Sequence, residues 1–146
     1  MEIRYKIESM EETGFSYKPD FNYNGIDIGT MSYQFVYNLT PNADKRELAL
    51  SMTVQITPEK SDVVLAQEDI YAVFKIDPFD KVISINADGF STKEHQLIDT
   101  FVSVAIGAIR GLLVKNLKGT SLAKSVMPLI PMNIISKHYA QNAENK

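Results

Sequence analysis

The feature that most restricts this chain is a change of hydrophobic period near residue 91. Before that point apolar residues recur every second position, which places them on one face of a pleated strand. Ile3, Tyr5 and Ile7 are in phase, as are Met31, Tyr33, Phe35, Tyr37 and Leu39, with Ser32, Gln34 and Asn38 opposite. Leu48, Leu50, Met52, Val54 and Ile56 alternate with Ala49, Ser51, Thr53, Gln55 and Thr57. A further run from Val63 to Ile76 keeps Ile70, Ala72, Phe74 and Ile76 in phase, and Gln67-Glu68-Asp69 in its middle predicts a bulge or bend. The polar segments Pro41–Asp44 and Pro58–Asp62 between runs are short enough for antiparallel hairpins.

From Ser91 the period becomes 3.6. Ser91-Thr92-Lys93-Glu94 offers a hydroxyl cap with a glutamate three residues on, predicting a helix of about five or six turns. Its polar residues Gln96, Asp99, Thr100, Ser103 and Arg110 fall within about 100° of the circumference, and the remainder is apolar or glycine. One sheet covers one side of such a helix, so another copy of the chain is the economical cover for the rest. Leu97, Phe101, Val104, Ala105, Ala108, Ile109 and Leu112 are therefore the predicted oligomer interface.

Lys118-Gly119-Thr120 reads as a helix stop, and the prolines of Met127-Pro128-Leu129-Ile130-Pro131 forbid regular helix there. Asn133 then caps a short closing helix in which Met132, Ile135 and Tyr139 share a face. The expected fold is α+β: a four-stranded antiparallel sheet with a long helix and a short C-terminal helix packed on one face. A single domain over 1–146 is expected, with strands mainly in 1–90, helices and the proline-containing linker in 91–140, and a frayed tail from 141 to 146.

Composition narrows the function. At 146 residues and 45% hydrophobic content the chain suits one domain, and its net charge of −3 argues against a nucleic-acid partner. Cys is absent, so no disulfide, thiol nucleophile or thiolate metal site exists. The N-terminus alternates polar and apolar residues, unlike a signal peptide. The apolar stretch Phe101–Val114 reads as too short and too interrupted to span a bilayer, so a cytoplasmic protein without membrane insertion is expected.

Two fragments imitate ligand loops. Asp20–Gly25 matches half of a calcium loop, but its twelfth position is Met31 instead of a bidentate carboxylate. Gly119–Ser125 ends like a phosphate loop, yet Lys118 and Ala123 stand where glycines are required. His95 and His138 have no metal-site spacing or nucleophile beside them. No catalytic residue, metal or cofactor is assigned, and the chain reads as a binding protein and not an enzyme.

Local runs resemble the SecB-type export chaperones. Ile3-Arg4-Tyr5-Lys6 resembles that family's first strand, and Leu65 through Phe74-Lys75-Ile76 its third. Lys118-Gly119-Thr120 is similar to its basic-Gly-Thr element, and Leu129-Ile130-Pro131-Met132-Asn133-Ile134 to the run leading into its last helix. The resemblance covers about residues 2 to 140. It implies an ATP-independent holdase for unfolded or non-native polypeptides, linked to export or to a dedicated client such as an antitoxin. It also implies a homo-oligomer, a dimer or a dimer of dimers built through the long helices. The client groove it implies is formed by Tyr37, Met52, Tyr71 and Phe74 on strands with Leu129, Ile130, Met132 and Ile134 on the linker and closing helix. Family members dock the SecA motor through carboxylates on the sheet. Here the net charge is only −3 and the acidic position falls on Gln67, with Glu68 beside it, so SecA stays open as a partner. Two other readings also stay open: an oligomeric adaptor for one specific protein, and a binder of a small apolar ligand.

Overall fold

The computed structural model describes residues 1–131. Four strands, β1 (Arg4–Tyr17), β2 (Ser32–Asn42), β3 (Glu47–Thr57) and β4 (Ala66–Asp77), form one antiparallel sheet in the order β1-β4-β3-β2. A one-turn helix α1 (Phe79–Val82), a small hairpin of β5 (Ser84–Asn86) and β6 (Gly89–Ser91), and the long helix α2 (His95–Asn116) follow. The expected α+β architecture is found, with α2 packed on one face of the sheet. Two 3-10 turns, Tyr23–Gly25 and Ile28–Thr30, lie between β1 and β2. The closing helix expected after Asn133 lies outside the described residues.

Alternation explains the sheet. In β3, Leu48, Leu50, Met52, Val54 and Ile56 are all buried, and in β4 so are Ile70, Ala72, Phe74 and Ile76. The two central strands thus send every second residue inward to meet Ile98, Phe101, Val102, Ala105, Ile106, Ile109 and Leu113 of α2. Phe74 and Phe101 mark the centre of that contact, their rings stacked with centroids 4.0 Å apart. Both predicted turns form: Arg46 N–H donates to Ala43 O, and Ser61 N–H to Pro58 O.

Three details differ from expectation. The bulge anticipated at Gln67-Glu68-Asp69 lies instead on the facing strand, where the pairing register shifts between Ile7 and Ser9 and between Glu12 and Gly14. β4 is paired on both sides and stays regular, whereas β1 is an edge strand free to bend. Ser91 does not cap α2; it ends β6, and Thr92 Oγ1 instead accepts from Glu94 N–H one residue before the helix. The turn α1 and the hairpin β5–β6 were not anticipated, because three-residue strands carry too little periodicity to be seen.

The helix runs to 22 residues, longer than the Phe101–Val114 stretch, and by length and composition alone it could cross a membrane. Half of its most apolar window is buried within the structure, so that face belongs to the sheet. Truncating the central ring contact should therefore cost what large core deletions cost. Phe101→Ala is expected to lose about 3–5 kcal/mol of unfolding free energy in urea titration, and a loss below about 1 kcal/mol would remove α2 from the core.

Candidate functional site

The predicted groove residues do not converge on one open cleft. Tyr37, Met52 and Phe74 point to the inner face of the sheet and are buried in the protomer core. Tyr71 lies on the outer face, opposite Glu11 and Ser51, and is 39% exposed. Neighbouring residues on a strand alternate faces, so Phe74 and Tyr71, three apart, point opposite ways. Leu129 is 87% exposed on the linker, and Ile130 is half-buried against the core. Met132 and Ile134 lie outside the described residues.

The linker is held by polar anchors. Arg110 reaches from α2, its guanidinium donating to Met127 O and Pro128 O, each at 2.9 Å. Ser125 shares a hydrogen bond with Tyr33 of β2, and Ser121 N–H donates to Tyr17 Oη. Leu122 and Met127 are buried beneath these bonds, which lays the linker over the β2 side of the core and leaves Val126 and Leu129 facing solvent. The phosphate-loop imitation is thus a helix stop and cover: Gly119 adopts φ +83°, and Thr120 Oγ1 donates to Leu117 O. The calcium-loop imitation is likewise local, since Asn22 and Asp27 use their side chains to accept from Asn24 N–H and Gly29 N–H.

The predicted interface residues divide in two. Leu97, Phe101, Ala105 and Ile109 are buried against the protomer's own sheet. Val104, Ala108 and Leu112 are only half-buried, on the flank of the helix that helical spacing assigns to the Phe101 side. That flank runs beside β1. Phe101 meets the Tyr5 ring edge-on at 5.7 Å, and about four turns later Asn116 Nδ2 donates to Glu12 Oε2 at 2.7 Å. The inner-facing residues along β1 are only partly covered: Tyr5 and Ile7 are each 51% exposed, Met10 36% and Phe15 37%. Sequence reasoning saw the alternation of Tyr5 and Ile7 but not this exposure, because periodicity gives a strand's face and not its place at the sheet edge.

At the far end of that flank lies a buried acid. Glu68 is fully buried, and Asn116 Nδ2 donates to its Oε1 at 2.7 Å while also serving Glu12. Glu68 Oε2 has no hydrogen-bond partner among the described residues. Burial pushes the carboxyl up to about 8, the adjacent Glu12 adds to the rise, and the Asn116 amide opposes it. The position at the C-terminal end of α2, where helix carbonyls gather, also disfavours a carboxylate. Glu68 therefore does not replace Gln67 as an outward acid; the outer face carries Asp69, which accepts from Thr53 and Gln67.

Order of strands, a long helix over one sheet face and an anchored linker define the SecB-like fold. A solved structure with this fold is the SecB-like chaperone of Mycobacterium tuberculosis in complex with a ChAD peptide from the HigA1 antitoxin. It superposes with a TM-score of 0.54 at 12% identity, over 88% of this chain and 86% of that one. No protein-family model and no curated protein matches the sequence.

The acid makes a pH prediction. A carboxyl whose value rises from 4.5 unfolded to about 8 folded stabilises the fold fully below about 4.5, and that contribution is lost as pH climbs through about 8. Glu68→Gln should remove this slope, so that its thermal midpoint gains on the natural chain between pH 5 and pH 8. Parallel curves for the two proteins over that window would contradict a neutral buried Glu68.

Proposed function

We propose that this chain is an ATP-independent holdase of the SecB-like kind, binding unfolded or non-native polypeptides as a homo-oligomer in the cytoplasm and working without catalysis. The observation that carries the reading is apolar surface left open on both sides of a complete core, on a fold shared with a chaperone solved with a bound peptide. Holding needs no chemistry, because preferential binding of unfolded chains slows their folding and aggregation by mass action.

The two open surfaces take different roles in this reading. The β1 flank, Tyr5, Ile7, Met10 and Phe15 with Val104, Ala108 and Leu112 beside it, joins an unpaired edge strand to a half-buried helix face. An unpaired edge with apolar side chains favours pairing with a second copy, as a dimer or a dimer of dimers. The linker surface, with Leu129, Ile130 and Val126, is the client side, where exposed aliphatics beside a movable cover accept varied sequences. Met132 and Ile134 belong to it in this proposal and Tyr37 and Met52 lie in the core beneath its β2 side, whereas Phe74, stacked on Phe101 under α2, and Tyr71, on the opposite face, have no part in it. The bond from Arg110 to the linker sets how far that cover can lift. The client is an exported protein or a dedicated partner such as an antitoxin, and SecA stays open as a partner.

Added below the client's concentration, and without nucleotide, the protein should suppress aggregation of a chemically unfolded test protein followed by light scattering. Leu129→Asp should weaken suppression several-fold while leaving the thermal midpoint unchanged, because the side chain is already in water. Full aggregation at a stoichiometric excess of the natural chain would sink the holdase reading.

A further inference from the structure

We propose that the open pocket at the β1–β4 end of the sheet is an oxyanion site, taking a compact, multiply charged group of the phosphate type carried by a small molecule. The pocket has a volume of about 330 Å³ and is walled by Arg4, Lys6, Arg46 and Lys75, with Tyr5, Ile76 and Asp77 completing its lining. In a chain with 15 basic and 18 acidic residues, four cations against one carboxylate in a single lining is a concentration of charge that composition does not supply.

Register creates the charge. Lys6 on β1 stands directly opposite Lys75 on β4, and like charges facing across a ladder are unfavourable. Glu47 lies on the other side of Lys75, across β3, and Asp77 faces Arg4. Arg46 enters from the β2–β3 turn, where it adopts φ 57° and its carbonyl accepts from Ile76 N–H, fixing the turn against the end of β4. Among the described residues neither Arg46 nor Lys75 has an ion-pair partner. Arg4 and Lys6 do, with Glu2 at 3.4 Å and Glu8 at 3.2 Å, but three of those four side chains are two-thirds or more exposed. Exposed pairs of this sort contribute little, so both cations are free to exchange them for a ligand.

The kinds of donor suit phosphate. The guanidinium forks of Arg4 and Arg46 match paired oxygens, while the two lysine ammonium groups act as point charges. A bound dianion would relieve the Lys6–Lys75 repulsion, whereas a single carboxylate would leave most of the charge unmatched.

Calorimetric titration of the full chain with inorganic pyrophosphate at low ionic strength tests the proposal. Saturable binding at one site per chain is expected, and the double variant R46Q/K75Q should lose at least tenfold in affinity. Pyrophosphate should also raise the thermal midpoint of the natural chain but not of the double variant, whose own midpoint without ligand should be no lower than the natural one. Heats too small to fit, equal affinity of the two proteins, or tighter binding of a tetraglutamate peptide than of pyrophosphate would each overturn the assignment.

Discussion

Everything in this structure follows from laying one helix across a four-stranded sheet. An α-helix with its side chains is roughly 10–12 Å across, while strands repeat every ~4.8 Å, so one helix covers about two strands. α2 covers the central pair, β3 and β4, and the stacked rings of Phe74 and Phe101 sit at the middle of that contact. The outer strands must find cover elsewhere. β2 receives the linker through Ser125, Leu122 and Met127, whereas β1 keeps its inner residues a third to a half exposed.

That asymmetry separates the two surfaces. On the linker side the cover is tied by hydrogen bonds from Arg110 to Met127 O and Pro128 O, between Tyr33 and Ser125, and from Ser121 N–H to Tyr17 Oη, and it buries Leu122 and Met127 in the core. On the β1 side the sheet ends in a long edge strand with two register shifts, with a half-buried helix flank beside it. Between them, at the end of α2, Glu68 and Glu12 share the amide of Asn116 and join helix, edge strand and central strand in one polar contact.

Much of this was legible in the sequence. Period-two runs gave β2, β3 and β4 with the right face inward, and the change of period gave the long helix. What the sequence left out has physical causes. Leu97, Phe101, Ala105 and Ile109 look identical to Val104, Ala108 and Leu112 on a helical wheel, and only the sheet's position shows which group its own protomer buries. Tyr71 and Phe74 were grouped by chemistry although an odd spacing divides them between faces. Arg110 read as one more solvated polar residue because its partners are backbone carbonyls, which leave no trace in sequence. Glu68 read as part of a bend, since nothing local announces that Asn116, forty-eight positions on, will meet it.

In the proposed function one chain is an incomplete unit that assembles with its own kind and then holds unfolded protein. Light-scattering mass measured alone, and again with a permanently unfolded client and no nucleotide, tests it most directly. The account predicts a multiple of the 16.4 kDa protomer that gains mass by taking up client. A 16.4 kDa monomer whose mass does not change when the client is added would contradict it.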